Sequence, residues 1–352
     1  MKVLVTGGAG YIGSHTVVAL TEAGHEVLIV DNFSNSSTHV VDHITALVKT
    51  PPSLRHVDLR DSSALGEAFS SFHPDAVIHF AGLKSVGESV SNPLRYYTHN
   101  IAATTTLLEV MREFDVHKLI FSSSATVYGS EAPLPYTEKF EPLNATNPYG
   151  QSKVVLERIL EDIAKSDLRW RIGVLRYFNP VGAHPSGIIG EDPSDVPTNL
   201  MPYISQVAVG RHERLIVFGN DYPTKDGTGE RDYIHVQDVA RGHLAALNSL
   251  VHERSHGWRA WNLGTGSAHS VMEVVKAFEE AAGVSIPFAI APRRPGDLPA
   301  VWADESRARS ELAWVAQHNL HEMVRDAWNW QRKNPEGYGA EPRLQAEKMP
   351  LA

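Results

Sequence analysis

Apolar positions in the first half of the chain fall into short runs separated by longer amphipathic stretches. Residues 3–6 form an apolar run ending in Gly7-Gly8-Ala9-Gly10. Residues 11–22 carry helical spacing that stops at Gly24, and residues 27–30 form a second run closing on Asp31. Further strand-like runs lie at 54–57, 76–80, 118–122 and 172–177, with helical patterns in most gaps, notably 93–114 and 149–164. Alternation of this kind predicts an α/β chain, a Rossmann-type doubly wound parallel sheet with helices on both faces. After Phe178 the texture changes, and Gly and Pro become dense over 179–202 and 220–229. These loops predict a smaller C-terminal α/β substrate domain over the carboxyl edge of the sheet, where ligands bind in such folds. The expected organisation is a dinucleotide-binding domain over 1–180 and a mainly substrate domain over 181–340. Some of its segments return to the sheet, and 341–352 is a loosely held tail.

The first turn carries chemistry. Gly7-x-x-Gly10-x-x-Gly13 follows a strand and opens a helix, the context a dinucleotide fingerprint requires. Glycines there let backbone N–H groups approach a pyrophosphate at the helix N-terminus. Asp31 ends the next strand, where a carboxylate accepts from a ribose 2′-hydroxyl and repels a 2′-phosphate. No Arg or Lys follows in Asp31-Asn32-Phe33-Ser34-Asn35-Ser36, which favours NAD over NADP. The competing reading is a structural glycine turn with no ligand.

A second constellation is Tyr149 and Lys153, four apart in Asn147-Pro148-Tyr149-Gly150-Gln151-Ser152-Lys153. A free tyrosine titrates near ~10 and is a poor base at neutral pH. A lysine one turn away on the same helical face favours the phenolate. Asn147 reads as an N-cap and Pro148 as the first helical residue, which puts Tyr149 where the helix dipole also favours negative charge. The expectation is a phenol lowered by roughly three units, a usable proton shuttle for an alcohol under oxidation. Alone, the pair is a weak signal and reads first as an ordinary solvated helix face. The glycine loop upstream reverses that balance.

Composition narrows the remaining classes. The 352 residues suit one large domain or two fused ones. Cysteine is absent, which excludes thiol nucleophiles, disulfide scaffolds and cysteine-ligated metals, and suits a reducing compartment. The apolar start is too short for a signal peptide, and no stretch approaches a membrane span, so a cytoplasmic enzyme is expected. A net charge of −9 argues against nucleic acid as partner. One motif is declined. His252-Glu253-Arg254-Ser255-His256 has the letters of a zinc-protease signature, but Gly257 follows at once and breaks the helix the motif needs. His39 and His43 read as a fortuitous pair, so no metal is expected.

Several longer blocks are more specific. They are Val5-Thr6-Gly7-Gly8-Ala9-Gly10-Tyr11-Ile12-Gly13-Ser14-His15, His79-Phe80-Ala81-Gly82-Leu83-Lys84, Ser122-Ser123-Ser124-Ala125-Thr126-Val127-Tyr128-Gly129, Arg176-Tyr177-Phe178-Asn179-Pro180-Val181-Gly182-Ala183-His184-Pro185 and Gly229-Glu230-Arg231-Asp232-Tyr233-Ile234-His235-Val236. With them the chain resembles, over nearly its whole length, the extended short-chain dehydrogenase/reductase superfamily, and within it the UDP-sugar 4-epimerases. The resemblance implies a homodimeric isomerase that oxidises and re-reduces C4′ of a UDP-sugar with bound NAD.

It also implies residue roles. Gly7, Gly10, Tyr11, Ile12 and Gly13 would wrap the NAD pyrophosphate. Asp31, Asn32, Asn35 and Ser36 would surround the adenosine ribose, with Asp58 and Leu59 flanking adenine. Phe80, Ala81, Gly82, Lys84 and Phe178 would line the rest of the cofactor, although Lys84 also reads as a solvated loop lysine. Asn100 stands where the family has an asparagine near NAD. His99 departs from the relatives' Asn-Asn pair and leaves open which position makes the contact. Tyr149 would take the proton of the sugar 4′-hydroxyl, Lys153 would bond the nicotinamide ribose and hold Tyr149 ionised, and Ser124 would relay the proton. Residue types alone do not choose among the three consecutive serines. Asn179, Asn199 and Leu200 would meet the diphosphate, and Ile216, Val217 and Phe218 the uracil. Arg231 and Arg294 would pair with phosphates through their planar forks, and Asp297 with the uridine ribose; both arginines otherwise read as solvated surface. Val301 replaces a tyrosine of glucose-restricted relatives, which implies room for an N-acetyl group at C2′ unless neighbouring side chains fill it. Two alternatives are a 4,6-dehydratase and an NAD-sensing relative. The first needs an acid–base pair where this chain has Ala125-Thr126, and the second typically lacks the Tyr–Lys pair.

Overall fold

Strand β1 (Lys2–Thr6) sets the layering. Val3 and Val5 point into one apolar cluster and Leu4 into another. The same alternation recurs in β2 (Glu26–Asp31), with Val27 and Ile29 on one side and Leu28 and Val30 on the other. Strands buried on both faces read as continuous apolar runs because each needs a helix layer above and below. Between and after them the chain forms α1 (Tyr11–Glu22), α2 (His39–Leu47), β3 (Ser53–His56), α3 (Ser62–Phe72), β4 (Ala76–His79), α4 (Val86–Ser91), α5 (Pro93–Tyr96), α6 (Ala103–Glu113), β5 (Lys118–Ser124), α7 (Pro148–Ser166) and β6 (Arg171–Tyr177). Helices α1 and α2 cover one face, and α3, α6 and α7 the other. This computed structural model describes residues 1–194, 196–251, 257–294 and 296–339. The His252–His256 motif and the tail from 341 lie outside the described residues.

The second half adds β7 (Asn179–Val181), α8 (Leu200–Ala208), β8 (Leu215–Phe218), β9 (Glu230–Arg231), β10 (Tyr233–His235), α9 (Val236–Val251), β11 (Gly257–Leu263), β12 (His269–Ser270), α10 (Val271–Ala282), β13 (Phe288–Ala291), β14 (Ala300–Val301), α11 (Ser306–Leu312) and α12 (Leu320–Lys333). Two of these belong to the main layers. Strand β11 pairs in parallel with β6 from Gly257↔Arg171 to Leu263↔Tyr177. Helix α9 contributes Val239, Ala246, Leu247 and Leu250 to the cluster under α1. The resulting parallel sheet has seven strands in the order β11-β6-β5-β4-β1-β2-β3. Its order reverses between β1 and β4, the switch point at which doubly wound sheets open a cleft. A separate cluster joins α8, α10 and α12 beside the β8–β13 pair.

The helical pattern over 93–114 is not one α-helix. It breaks at a π-helical turn, Tyr97–Ala102. The turn rotates Asn100 inward, where it is buried. Helix α7 starts as the residue types predict: the Asn147 side chain accepts from the Gly150 N–H at 2.9 Å, and Pro148 is the first helical residue.

Candidate active site

At the switch point the backbone itself forms the wall. Gly7 has φ +67°, and a Cβ on it would lie 2.7 Å from the Ala81 nitrogen. A Cβ on Gly13 would lie 2.2 Å from the Gly7 carbonyl oxygen. No side chain fits either position without moving backbone. Ser14 N–H donates to the Gly10 carbonyl at 2.8 Å, the first rung of α1. The N–H groups before it point out of the helix toward the cleft and have no intrahelical acceptor. Ile12 packs on the core behind this turn, and the Tyr11 hydroxyl donates to the Gly182 carbonyl at 2.7 Å.

Asp31 sits at the next strand end, buried, accepting from Ala9 N–H at 3.0 Å, Phe33 N–H at 2.9 Å and Ser36 Oγ at 3.0 Å. A carboxylate has about four acceptor positions, so one remains for a hydroxyl. Asn32 donates to Asp58 at 3.3 Å, which Arg60 holds well below the usual carboxylate range. Asn35 accepts from Ser194 at 2.6 Å, tying the β2 loop to the long loop after β7. Leu59 is buried beneath. Along the middle of the cleft run Phe80, Ala81 and Gly82. The Phe80 ring packs 4.6 Å from His243. Lys84, exposed on its loop, pairs with Glu191 at 3.1 Å. Asn100 spends its amide on protein: Oδ1 accepts from Leu83 N–H at 2.8 Å, and Nδ2 donates to Leu83 O and Ser152 Oγ at 3.1 Å each. It clamps the β4 loop to α7. His99 bonds back to the Arg95 carbonyl at 2.8 Å.

Ser124, Tyr149 and Lys153 meet where β5 ends and α7 begins. Ser124 Oγ accepts from Thr126 N–H at 3.2 Å and Thr126 Oγ1 at 3.0 Å. Lys153 is buried; its Nζ donates to the Ser122 carbonyl at 2.8 Å and lies 4.8 Å from the centre of the Phe121 ring. Burial pushes Lys153 down to about 8 against the favourable charge of Glu157. The expectation that Lys153 and the helix dipole hold Tyr149 down is corrected here. Burial pushes the phenol up, and the hydrogen bond with Ser124 only partly offsets it. The Tyr149 ring keeps some surface open, and of its three N–H donors Lys153 gives one to the Ser122 carbonyl. His79, below the site, bonds Thr6 at 2.6 Å and Thr104 at 2.9 Å, and burial pushes it down to about 3, so it stays neutral.

Opposite the catalytic cluster, the second-half loops bring several predicted residues together. Arg231 donates to the Leu298 carbonyl at 2.9 Å and lies 3.9 Å from Asp297, which also accepts from Arg294 Nε at 2.8 Å. The Arg294 guanidinium lies 4.9 Å from the Phe218 ring. Val217 faces the core, Ile216 is half-buried and Phe218 exposed, and β8 pairs with β13 on one side. Asn199 caps α8 by position while making no side-chain cap bond, which leaves its amide uncommitted at a helix N-terminus beside Leu200. Asn179 N–H donates to the Asp232 carbonyl at 3.0 Å, next to Arg231. Phe178 is buried behind the catalytic cluster against Tyr136. Val301 pairs with Arg231 in register and packs against the cluster that contains Phe178 and Tyr136. Sequence reading missed the buried Glu157–Arg176 pair under Lys153, and the Lys84–Glu191 pair. In both, the partners are distant in the chain and no local pattern links them.

A parallel sheet with a backbone cradle at its switch point and a Ser–Tyr–Lys cluster beside it defines a dinucleotide-dependent enzyme of the short-chain dehydrogenase/reductase type. Within that class the chain belongs to the NAD dependent epimerase/dehydratase family, which its residues 3–264 match. A UDP-glucose 4-epimerase of Bacillus subtilis (strain 168) is 53% identical over 338 residues, covering 96% of this chain and 99% of that protein. A UDP-glucose 4-epimerase structure from Stenotrophomonas maltophila, with bound NAD and formylated UDP-arabinopyranose, superposes with a TM-score of 0.92 at 50% identity, covering 95% of this chain and 99% of that one. One from Bifidobacterium longum, in complex with NAD+ and UDP, gives 0.92 at 50% identity over 96% of this chain and 100% of that one. Among the described residues no helix is long and apolar enough to cross a membrane, and no group of three or more His, Asp or Glu is placed to hold a metal.

Proposed function

We propose that this chain interconverts UDP-galactose and UDP-glucose, inverting C4′ through a transient 4-keto sugar. The observation that carries the reading is the meeting of Ser124, Tyr149 and Lys153 beside a cradle too tight for a Cβ at Gly7 or Gly13. That cradle fits a pyrophosphate, and the spare acceptor position of Asp31 fits an unphosphorylated ribose. Gly7, Gly10 and Gly13 with Asp31 would hold NAD there, and NAD would supply the acceptor and the donor for the C4′ hydride. Tyr149 removes the proton from the 4′-hydroxyl and restores it after the opposite face has been reduced. Ser124 bonds the same oxygen and passes the proton along. Lys153 holds the nicotinamide ribose and keeps a positive charge beside the phenol. Tyr11 and Ile12 offer backbone at the pyrophosphate. Asn32, Asn35, Ser36, Asp58 and Leu59 enclose the adenosine end, and Phe80 through Lys84 and Phe178 line the remainder. Asn100 acts by holding the Leu83 loop.

The substrate's UDP half is read onto Asn179, Asn199, Leu200, Arg231 and Arg294, with Ile216–Phe218 beside uracil and Asp297 at the ribose. Residues 1–180 with β11 and α9 then serve the cofactor, and most of 181–340 serves the sugar nucleotide. At Val301 a small side chain against the cluster that contains Phe178 supports a second reading, turnover of UDP-GlcNAc and UDP-GalNAc as well. A homodimer pairing the helices of 93–114 and 149–164 across a two-fold axis is consistent with Leu94 there, 77% exposed. Light scattering at the monomer mass of 38.7 kDa would overturn the dimer. The activity is tested by incubating purified protein with UDP-galactose and no added NAD. Formation of UDP-glucose supports the reading; strict dependence on added NAD, with accumulation of NADH, counts against it.

A further inference from the structure

Beneath the catalytic cluster lies a second set of polar groups that the proton path does not touch. Glu157 stands one turn beyond Lys153 on α7 and is 3% exposed, while Arg176 on β6 is fully buried. Arg176 Nη2 donates to Glu157 Oε2 at 2.6 Å, and its Nε donates to both carboxylate oxygens at 3.1 and 3.2 Å. Ser123 Oγ donates to Glu157 Oε1 at 2.5 Å. The Arg176 Nη1 donates to the Tyr128 hydroxyl at 3.1 Å, which donates to Asn262 Oδ1 at 2.7 Å. One carboxylate thus joins the helix that carries Tyr149 and Lys153 to the residue before Ser124 and to the neighbouring strand.

Stability alone does not account for this pair. A buried ion pair is commonly matched or bettered by apolar residues of the same volume. The charges around Lys153 supply another reason. Facing it are His79 from β4, neutral by burial, the Phe121 ring and Ser122 carbonyl from β5, and Tyr149 on its own helix. Near Ser122 stands the Tyr177 phenol of β6, which burial also keeps neutral. Glu157 is the negative charge in that set, and it opposes the burial that works against the ammonium. Glu157 itself faces Arg176, Ser123 and, through Arg176, Tyr128.

We infer that Glu157 is a positioning residue for the reaction: with Arg176 and Ser123 it fixes α7 against the Ser124 strand, and it supplies the buried negative charge facing Lys153. This inference rests on the roles proposed above for Ser124, Tyr149 and Lys153. The test measures kcat, KM and the pH–rate profile for UDP-galactose in wild type, Glu157→Gln, Glu157→Asp and the double variant Glu157→Gln/Arg176→Met, which leaves no orphaned arginine. Glu157→Gln should lose about 10- to 100-fold in kcat, the scale of a small misplacement at the chemistry, with KM within about twofold. Its basic limb should move about one pH unit toward acid, the shift expected when an opposite charge is removed nearby. Glu157→Asp should restore the limb while remaining slow, because the shorter side chain keeps the charge but not both partners. The double variant should fold and keep the shifted limb, so it carries the test even if Glu157→Gln does not fold. A double variant with wild-type kcat and limb would overturn the inference, leaving Glu157 as mere balance for Arg176. Absence of turnover in wild type would instead overturn the proposed function, and this inference with it.

Discussion

Lys153→Met separates what this side chain does for folding from what it does for catalysis. Methionine keeps an unbranched stem and removes the ammonium. Folding lowers Lys153 from 10.5 to about 8 through burial, so at pH 7 the folded state carries a charge it disfavours. A shift of that size corresponds to about 3 kcal/mol. Losing the bond to the Ser122 carbonyl returns about 1 kcal/mol. The variant should therefore be more stable than wild type at pH 7, by about 2 kcal/mol. Because the folded-state value is the lower one, the wild-type penalty is complete below pH 8. It shrinks as pH rises and is gone above 10.5, where the amine is neutral in both states. At pH 9.5 the advantage of Lys153→Met should fall to near zero. Urea unfolding followed by tryptophan fluorescence gives both values, on cofactor-free protein so that ligand linkage does not enter. Turnover of UDP-galactose should fall at least about 10²-fold in the same variant. A variant less stable than wild type at both pH values would refute the argument that burial opposes the ammonium, and turnover within tenfold of wild type would refute the role of Lys153.

Tyr149→Phe keeps the ring and removes the oxygen that Ser124 bonds; kcat should fall about 10²- to 10⁴-fold with UDP-sugar binding retained, and near-normal turnover would remove Tyr149 from the mechanism. Gly7→Ala meets both a φ of +67° and an Ala81 nitrogen 2.7 Å away, so it should lose copurified NAD and about 1–3 kcal/mol of stability; NAD content equal to wild type would show that the backbone there is not the cradle. Val301→Tyr should lower kcat/KM for UDP-GalNAc far more than for UDP-galactose, since a ring at the cluster that contains Phe178 costs roughly 1–3 kcal/mol or more in a packed site. Absence of N-acetylhexosamine turnover in wild type would remove Val301 as the determinant.

The elements that sequence made legible are those whose signal is local. The runs at 3–6 and 27–30 sit between two helix layers, so all positions but Thr6 are apolar, and the glycine turn between them needs its spacing for steric reasons visible in Gly7 and Gly13. Asn147 and Pro148 announced the start of α7 because capping is a matter of adjacent residues. Strand β11 was not read from its pattern, because Arg259 and Asn262 interrupt the run and its place beside β6 is set by a partner far away in the chain. The π-helical turn inside 93–114 was invisible for the same reason: Asn100 is turned inward by Leu83 and Ser152, not by its neighbours. Spacing placed Tyr149 and Lys153 on one helix, yet the state of the phenol depends on how deeply the fold buries it, and there the simple pairwise argument gave the wrong direction.

The central claim is that one hydride leaves C4′ and the same hydride comes back within one bound complex. It is tested most directly by incubating the purified protein, without added NAD, with UDP-galactose carrying deuterium at C4′ mixed with unlabelled UDP-GalNAc or a second distinguishable UDP-galactose isotopologue, and reading the products by mass spectrometry and NMR. The account predicts UDP-glucose that retains its deuterium at C4′, with no transfer of label between substrates and none exchanged with water. Loss of the deuterium to solvent, or its appearance in the other substrate's product, would contradict it.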